Sequence, residues 1–155
     1  MNENRLLLEK WAPYHKEIVQ SLDSLRTDEK FIEKYISDKT ILLKQILTKG
    51  TFMGRMPTND AWDIAKSHPL IVHFDYDKVL LLSKIYNQQV STFEPVAKIP
   101  EAIFSPNLKS KEEARQNLHT FHNRMREIYA REKQMLEYYD EAQKEFNLKD
   151  VPSNK

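Results

Sequence analysis

The sequence predicts an all-α protein, an elongated antiparallel bundle of four long helices with one short crossing helix. The chain has 155 residues but only two glycines, too few for the turns of a β-sandwich or barrel. Apolar residues recur at intervals of three and four over most of the chain, which is the spacing of one helix face. We therefore expect a single helical domain over residues 1–147, about 70% helix in the whole chain, and a flexible tail over residues 148–155.

Composition and charge exclude several functional classes. The absence of cysteine excludes thiol catalysis, cysteine-ligated zinc and iron–sulfur chemistry. The chain carries 24 Lys+Arg against 23 Asp+Glu, so it lacks the basic excess that nucleic-acid binding requires. No apolar run approaches the ~18 residues of a membrane span, and the charged N-terminal residues are unlike a signal peptide. No nucleic-acid partner is expected.

Two long helices are predicted in the first third of the chain. Apolar positions from Leu7 to Leu25 predict a helix over residues 4–25, kinked or restarted at Pro13, because proline removes a backbone hydrogen bond. Asp28 can cap a second long helix, which ends at Gly50 in the left-handed C′ position. The residues predicted on the buried side of this second helix are Phe31, Ile32, Tyr35, Ile36, Leu42, Leu43 and Ile46.

The middle of the chain predicts one short and one long helix. A short helix over residues 59–67 stops before Pro69 and is apolar enough to cross the bundle. Asp75 then caps a third long helix, whose last turns contain Pro95 and which ends before Pro100.

The final helix has the clearest pattern. Ser110 and Glu113 form a capping box, and about 36 helical residues would span about 54 Å. Glu132 is the one charged residue in the heptad seam, where we expect it to pair with Lys or Arg of a neighbouring helix; a buried switch or ligand is the alternative. The seam, at alternating steps of three and four, is Leu118, Phe121, Met125, Ile128, Glu132, Met135, Tyr139, Ala142 and Phe146.

One candidate binding region lies between the second and third long helices. Arg55, Trp62, His68 and His73 could line a mouth at one end of the bundle and bind a small anion or an acidic group of a partner. The simpler alternative is structural: Asp75 caps a helix, and His68 ends one where the helix dipole favours a cation. No metal is expected, because the two histidines are five residues apart across a proline and no third ligand is fixed by a helix.

No catalytic residue is predicted, and no cofactor is expected. Serines and histidines are scattered over different helices without a nucleophile elbow, so no nucleophile and base can be paired. His119 and His122 lie three residues apart on the last helix, but neither follows a glutamate by three residues as the di-iron pattern requires. The chain is therefore expected not to be an enzyme.

Three consecutive segments carry a resemblance to a known family. Residues 59–67 read Asn-Asp-Ala-Trp-Asp-Ile-Ala-Lys-Ser, residues 73–77 read His-Phe-Asp-Tyr-Asp, and residues 82–89 read Leu-Ser-Lys-Ile-Tyr-Asn-Gln-Gln. Together with Glu3-Asn4-Arg5, Leu7 and Pro13-Tyr14-His15, they resemble an uncharacterised family of bacterial single-pass membrane proteins over residues 3–90.

The resemblance implies a location rather than an activity. It implies an extracytoplasmic, periplasmic domain that follows an N-terminal transmembrane anchor absent from this chain, with Trp62, Tyr76 and Tyr86 as packing residues. That family has no assigned catalytic activity, so no functional residue is carried over.

Three functions remain open at this stage. The leading hypothesis is a membrane-tethered, extracytoplasmic helical interaction or structural module, with an unidentified protein partner and homo-oligomerisation left open. The alternatives are a helical bundle that senses a small ligand and a metal-dependent enzyme.

Overall fold

The computed structural model describes residues 1–103 and 108–146, so the predicted tail over 148–155 lies outside the described residues. The protein is mostly helical, 76% helix and 3% strand, which confirms the predicted class. In chain order the helices are α1 (Asn2–Leu22), α2 (Glu29–Glu33), α3 (Leu43–Ile46), α4 (Asp60–Ser67), α5 (Tyr76–Ile103) and α6 (Lys111–Glu145), with strands β1 (Ile36–Ser37) and β2 (Thr40–Ile41), and 3-10 turns at Asp23–Arg26 and Pro69–His73.

Helix α6 packs against both of the other long helices. Its 35 residues span about 52 Å at 1.5 Å per residue. Helix α1 runs antiparallel to it, because Arg5 near the start of α1 pairs with Asp140 near the end of α6, at 3.0 Å. Helix α5 is also antiparallel to α6, because the ammonium of Lys78 lies over the ring of Phe146, and Arg131 bonds the Ser91 carbonyl further along α5.

The seam predicted for α6 is confirmed as the centre of the core. Ser110 caps the helix by accepting the Glu113 amide at 3.1 Å. The Glu113 carboxylate reaches back to the amide of Lys109 at 2.7 Å, one residue before the capping-box partner. Eight of the nine predicted seam positions are buried, and Phe146 is partly buried against them. A strict three–four alternation thus located the buried face.

The prediction of a second long helix was wrong, and residues 1–103 and 108–146 form three long helices rather than four. Helix α2 ends at Glu33, and the chain then forms a two-stranded antiparallel hairpin before the four-residue α3. Asp38 between the strands has φ +54°, a left-handed conformation that Asp adopts more readily than most residues. The β-branched Ile36, Thr40 and Ile41 favour strand over helix here. Gly50 does adopt the expected left-handed conformation, at φ +72°.

Prolines interrupt the long helices less than expected. Helix α1 continues through Pro13 without a restart, and the proline lies on its exposed side. Helix α5 continues through Pro95 and Pro100 to Ile103, beyond its predicted end. In α1, packing of the buried face outweighs the backbone hydrogen bond that Pro13 removes, since most helical stability in proteins comes from the packed face.

Candidate functional site

The four predicted site residues occupy different environments. Trp62 is 4% exposed and its ring stacks on Tyr86 at 5.5 Å and an interplanar angle of 4°. His68 is exposed, and its Nδ1 accepts the Leu70 amide at 3.2 Å, which starts the 3-10 turn. His73 is exposed at the end of that turn.

Arg55 pairs with a residue of α1 rather than with the other three predicted site residues. Its guanidinium is 3.9 Å from the carboxylate of Glu3 on α1, and both side chains are mostly exposed. Over the described ranges 1–103 and 108–146, no hydrogen bond or ion pair joins any two of Arg55, Trp62, His68 and His73. A binding role for these residues therefore stays a prediction.

The described residues of this region form neither a metal site nor a deep ligand pocket. Within the described part of the chain, no three His, Asp or Glu side chains cluster so that they could hold a metal ion. Three open clefts have similar volumes of about 480 to 500 Å³ and share no lining residue. The first is lined by the start of α1, Thr58, Ala61 and Tyr86. Similar size and an open shape favour none of the three as a ligand pocket.

A buried pair of titratable residues, missed by the sequence analysis, joins α1 to α6. Glu132 and His15 are both 0% exposed, and Nδ1 of His15 is 2.9 Å from each carboxylate oxygen of Glu132. Nε2 of the same ring is 3.0 Å from the backbone oxygen of Phe52. Glu132 therefore does have the partner that its position requires, but the partner is a histidine rather than the Lys or Arg we predicted.

The geometry of the pair fixes its proton inventory. The Phe52 carbonyl can only accept a hydrogen bond, so Nε2 of His15 must carry a hydrogen. One further proton then lies between Nδ1 and the Glu132 carboxylate. Burial raises the pKa of Glu132, and the hydrogen bond and charge of His15 oppose that rise. The pair thus holds one titratable proton with no net charge.

This pair is not arranged as the acid–base half of a nucleophilic triad. In such a triad the second ring nitrogen faces a nucleophile. Here it faces the carbonyl of Phe52, whose ring also stacks on His15 at 5.0 Å, while Trp11 stacks on it at 6.1 Å. The arrangement holds the irregular chain around residue 52 against α1 and α6.

A second buried polar network holds the next part of that irregular chain. The Asn4 amide donates to Thr58 oxygen at 2.8 Å and to Gln89 Oε1 at 3.0 Å, and it accepts the Thr58 amide at 3.2 Å. The Tyr139 hydroxyl donates to Gln89 Oε1 at 2.8 Å, and Gln89 donates to the Asn59 side chain at 2.5 Å. The network joins all three long helices to the start of α4.

A second buried histidine, His122 of α6, contacts the chain just after the C-terminal end of α1. His122 is 1% exposed, and its Nε2 is 3.2 Å from Asp23, just after α1. His119, three residues earlier, lies at the edge of a surface cleft. The contact of His122 is thus with the 3-10 turn that follows α1.

The segment from α4 to the start of α5 exposes apolar side chains. We call residues 60–78 the α4 excursion. The 3-10 turn within it has no buried residue, although its sequence is Pro-Leu-Ile-Val-His. Val72 is 76% exposed and Phe74 is 55% exposed. Among the described residues, eight large hydrophobic side chains are exposed, and five of them lie in the excursion: Ile64, Leu70, Val72, Phe74 and Tyr76.

The α4 excursion is attached firmly at its base. Trp62 stacks on Tyr86 of α5, and Asn59 at the N-terminus of α4 bonds Gln89. Asp75 caps α5 by accepting the amides of Asp77 and Lys78 at 3.0 and 3.3 Å, as predicted. Apolar side chains on an attached element indicate a contact surface better than scattered apolar residues do.

Comparison with known protein families, curated proteins and solved structures finds no match to this chain. Among the described residues, none of the helices is both long enough and apolar enough to cross a membrane.

Proposed function

We propose that this chain is a membrane-tethered, extracytoplasmic helical module that binds a partner protein and has no catalytic activity. The observation that supports binding is the α4 excursion, which exposes Leu70, Val72, Phe74 and Tyr76 at alternate positions on a base fixed by Trp62. Large apolar side chains gathered in one segment mark contact surfaces on soluble domains.

The tethered location rests on the resemblance over residues 3–90. The start of α1 lies next to the base of the excursion, because Asn4 bonds the backbone of Thr58. A tether that enters at α1 would hold the excursion near the membrane. The ligand-sensing and metal-enzyme alternatives are not adopted, because nothing among the described residues favours either.

Cysteine labelling tests the location. These 155 residues contain no cysteine, so Lys84→Cys on the exposed side of α5 adds one exposed thiol to this domain. In cells expressing the full gene product, we expect a maleimide that cannot cross the cytoplasmic membrane to label this thiol before lysis. Labelling that occurs only after lysis of that membrane contradicts the extracytoplasmic location.

Site-specific photocrosslinking tests the binding function. A photoreactive residue placed at Val72 should crosslink to a discrete protein in cells of the native host, and the crosslink should disappear with Phe74→Ser. The matched control is the same photoreactive residue at Val90, which is exposed on α5 outside the excursion. Equal crosslinking from both positions, or none from Val72, contradicts a contact surface at the excursion.

A further inference from the structure

We infer that the α4 excursion binds a protein segment in which apolar side chains are flanked by Lys or Arg; this inference rests on the proposed function and names its partner's chemistry. The apolar part of the surface is Leu70, Val72, Phe74 and Tyr76, which alternate along the chain and are each more than half exposed. A partner must therefore present apolar side chains to cover them.

The charge around these side chains is negative. The excursion contains four aspartates and two lysines, a formal charge of −2 in a chain whose total is +1, so the rest of the chain carries +3. Of the aspartates, only Asp63 has a basic partner, Lys66 at 2.8 Å. Asp60, Asp75 and Asp77 make no ion pair with any described residue.

Two of the aspartates are direct sequence neighbours of the exposed apolar side chains. Asp75 and Asp77 alternate in sequence with Phe74 and Tyr76, and all four side chains are exposed. The ammonium of Lys78, the nearest basic group in sequence, is placed over Phe146 of α6. A partner that covers Phe74 and Tyr76 therefore comes close to exposed carboxylates, which is complementary to Lys or Arg next to apolar side chains.

The same charges argue against two other occupants. A second copy of the chain docked on its own excursion would bring the carboxylates of Asp60, Asp75 and Asp77 close to identical groups, which costs binding free energy. An anionic bilayer surface would repel them as well, because membrane association of a surface element is strengthened by Lys and Arg. A basic, apolar protein segment is the occupant that both the apolar and the charged groups favour.

Two synthetic helical peptides of equal length provide the probes. Both carry leucine at the same positions, and the remaining positions are lysine in one peptide and glutamate in the other. Binding of each peptide to the full chain is measured by fluorescence anisotropy in the same buffer. We expect the lysine peptide to bind with a Kd at least tenfold lower than the glutamate peptide.

Substitutions locate the binding surface. Val72→Ser with Phe74→Ser should raise the Kd of the lysine peptide at least tenfold, and Asp60→Asn with Asp77→Asn should raise it about fivefold because two of the excursion's negative charges are lost. Val90→Ser is the control for loss of an exposed apolar side chain. Each variant must keep the thermal melt of the wild type, since all five residues are exposed or at the surface.

Four outcomes overturn the inference. The first two are equal affinity for both peptides and binding that the excursion variants leave unchanged. The third is flotation with phosphatidylcholine–phosphatidylglycerol vesicles that depends on Phe74, which assigns the surface to a bilayer. The fourth is a dimer in sedimentation equilibrium that Val72→Ser dissociates, which assigns it to a second copy.

The photocrosslinking experiment separates this inference from the proposed function. If Val72 crosslinks to a partner whose crosslinked segment is acidic or lacks Lys and Arg, the binding function stands and the basic partner is wrong. If Val72 gives no crosslink, both are wrong. A crosslinked segment with Lys or Arg beside apolar residues supports both.

Discussion

Replacement of Glu132 by glutamine should change how the free energy of unfolding depends on pH. Glutamine keeps the shape of the side chain but removes its charge and its titratable proton. In the variant, the glutamine amide can donate to Nδ1 of a neutral His15, while Nε2–H keeps its bond to Phe52. A protonated His15, in contrast, would have no anion beside it in a fully buried position.

The sign follows from the raised pKa of Glu132. Burial makes the folded protein hold this proton to a higher pH than the unfolded chain does. A raised carboxyl pKa contributes stability below the unfolded value of about 4.3 and loses it as pH rises through the folded value. The stability advantage of the wild type over Glu132→Gln should therefore be large at acid pH and shrink as pH rises.

The magnitude comes from the buried geometry. At about pH 8, the variant exchanges a charged hydrogen bond for a neutral one, a loss of about 1 kcal/mol. At about pH 5, it also lacks the carboxyl proton whose retention stabilises the folded wild type, and each unit by which burial raises that pKa is worth about 1.4 kcal/mol. We expect the difference at about pH 5 to exceed the difference of about 1 kcal/mol at about pH 8 by at least about 1 kcal/mol.

Urea unfolding followed by far-ultraviolet circular dichroism measures this difference over the pH series. The matched control is Glu137→Gln, the same change at an exposed position of α6, which should stay within about 0.5 kcal/mol of the wild type throughout. A wild-type advantage that is constant, or larger at about pH 8 than at about pH 5, refutes a shared buried proton.

Three further substitutions test the packing of the polar groups and of the excursion. His15→Leu and Glu132→Leu should each lower the free energy of unfolding by about 3 kcal/mol in urea unfolding, because each leaves the other residue buried without a partner. The double variant should lose less than the sum of the two. Gln89→Leu strands the Tyr139 hydroxyl and should cost about 2 kcal/mol by the same assay, whereas Gln88→Leu, at the surface of α5, should cost under about 0.5 kcal/mol. Trp62→Ala should cost about 3 kcal/mol in a thermal melt, whereas Ile64→Ala, 69% exposed on the same helix, should cost under about 0.5 kcal/mol.

Long helices could be predicted from this sequence, and a short compact element could not. The seam of α6 repeats for four heptads, so its period is unambiguous. Between Phe31 and Ile46 the apolar residues also fit a helical period, but Ile36 and Ile41 are buried through a hairpin instead. Over a segment this short, burial by a folded-back chain and burial by one helix face produce the same apolar pattern.

The identity of the residue that pairs with a buried polar side chain depends on which helices pack together. Glu132 in an apolar seam did indicate that a partner exists. His15 carries a matching signal, because it lies on the same apolar stripe of α1 as Trp11 and Ile18, yet it is 117 residues away in sequence. The exposure of Val72 had no sequence signal at all, since apolar residues in a short turn are compatible with burial.

The two polar sites and the apolar surface form one arrangement along α6. Glu132 and Tyr139 are one heptad apart in the seam, and each connects through a buried side chain to the irregular chain before α4. His15 binds the carbonyl of Phe52, and Gln89 binds the side chain of Asn59, the residue just before α4. An apolar seam buries this chain without fixing its register, because hydrophobic contact is not directional. Hydrogen bonds to a backbone carbonyl and to a side-chain amide are directional, so they fix where α4 starts and where the excursion projects. Because folding already orders the excursion, its conformational entropy is lost at that step. A partner that binds the excursion therefore does not have to offset the same entropy loss.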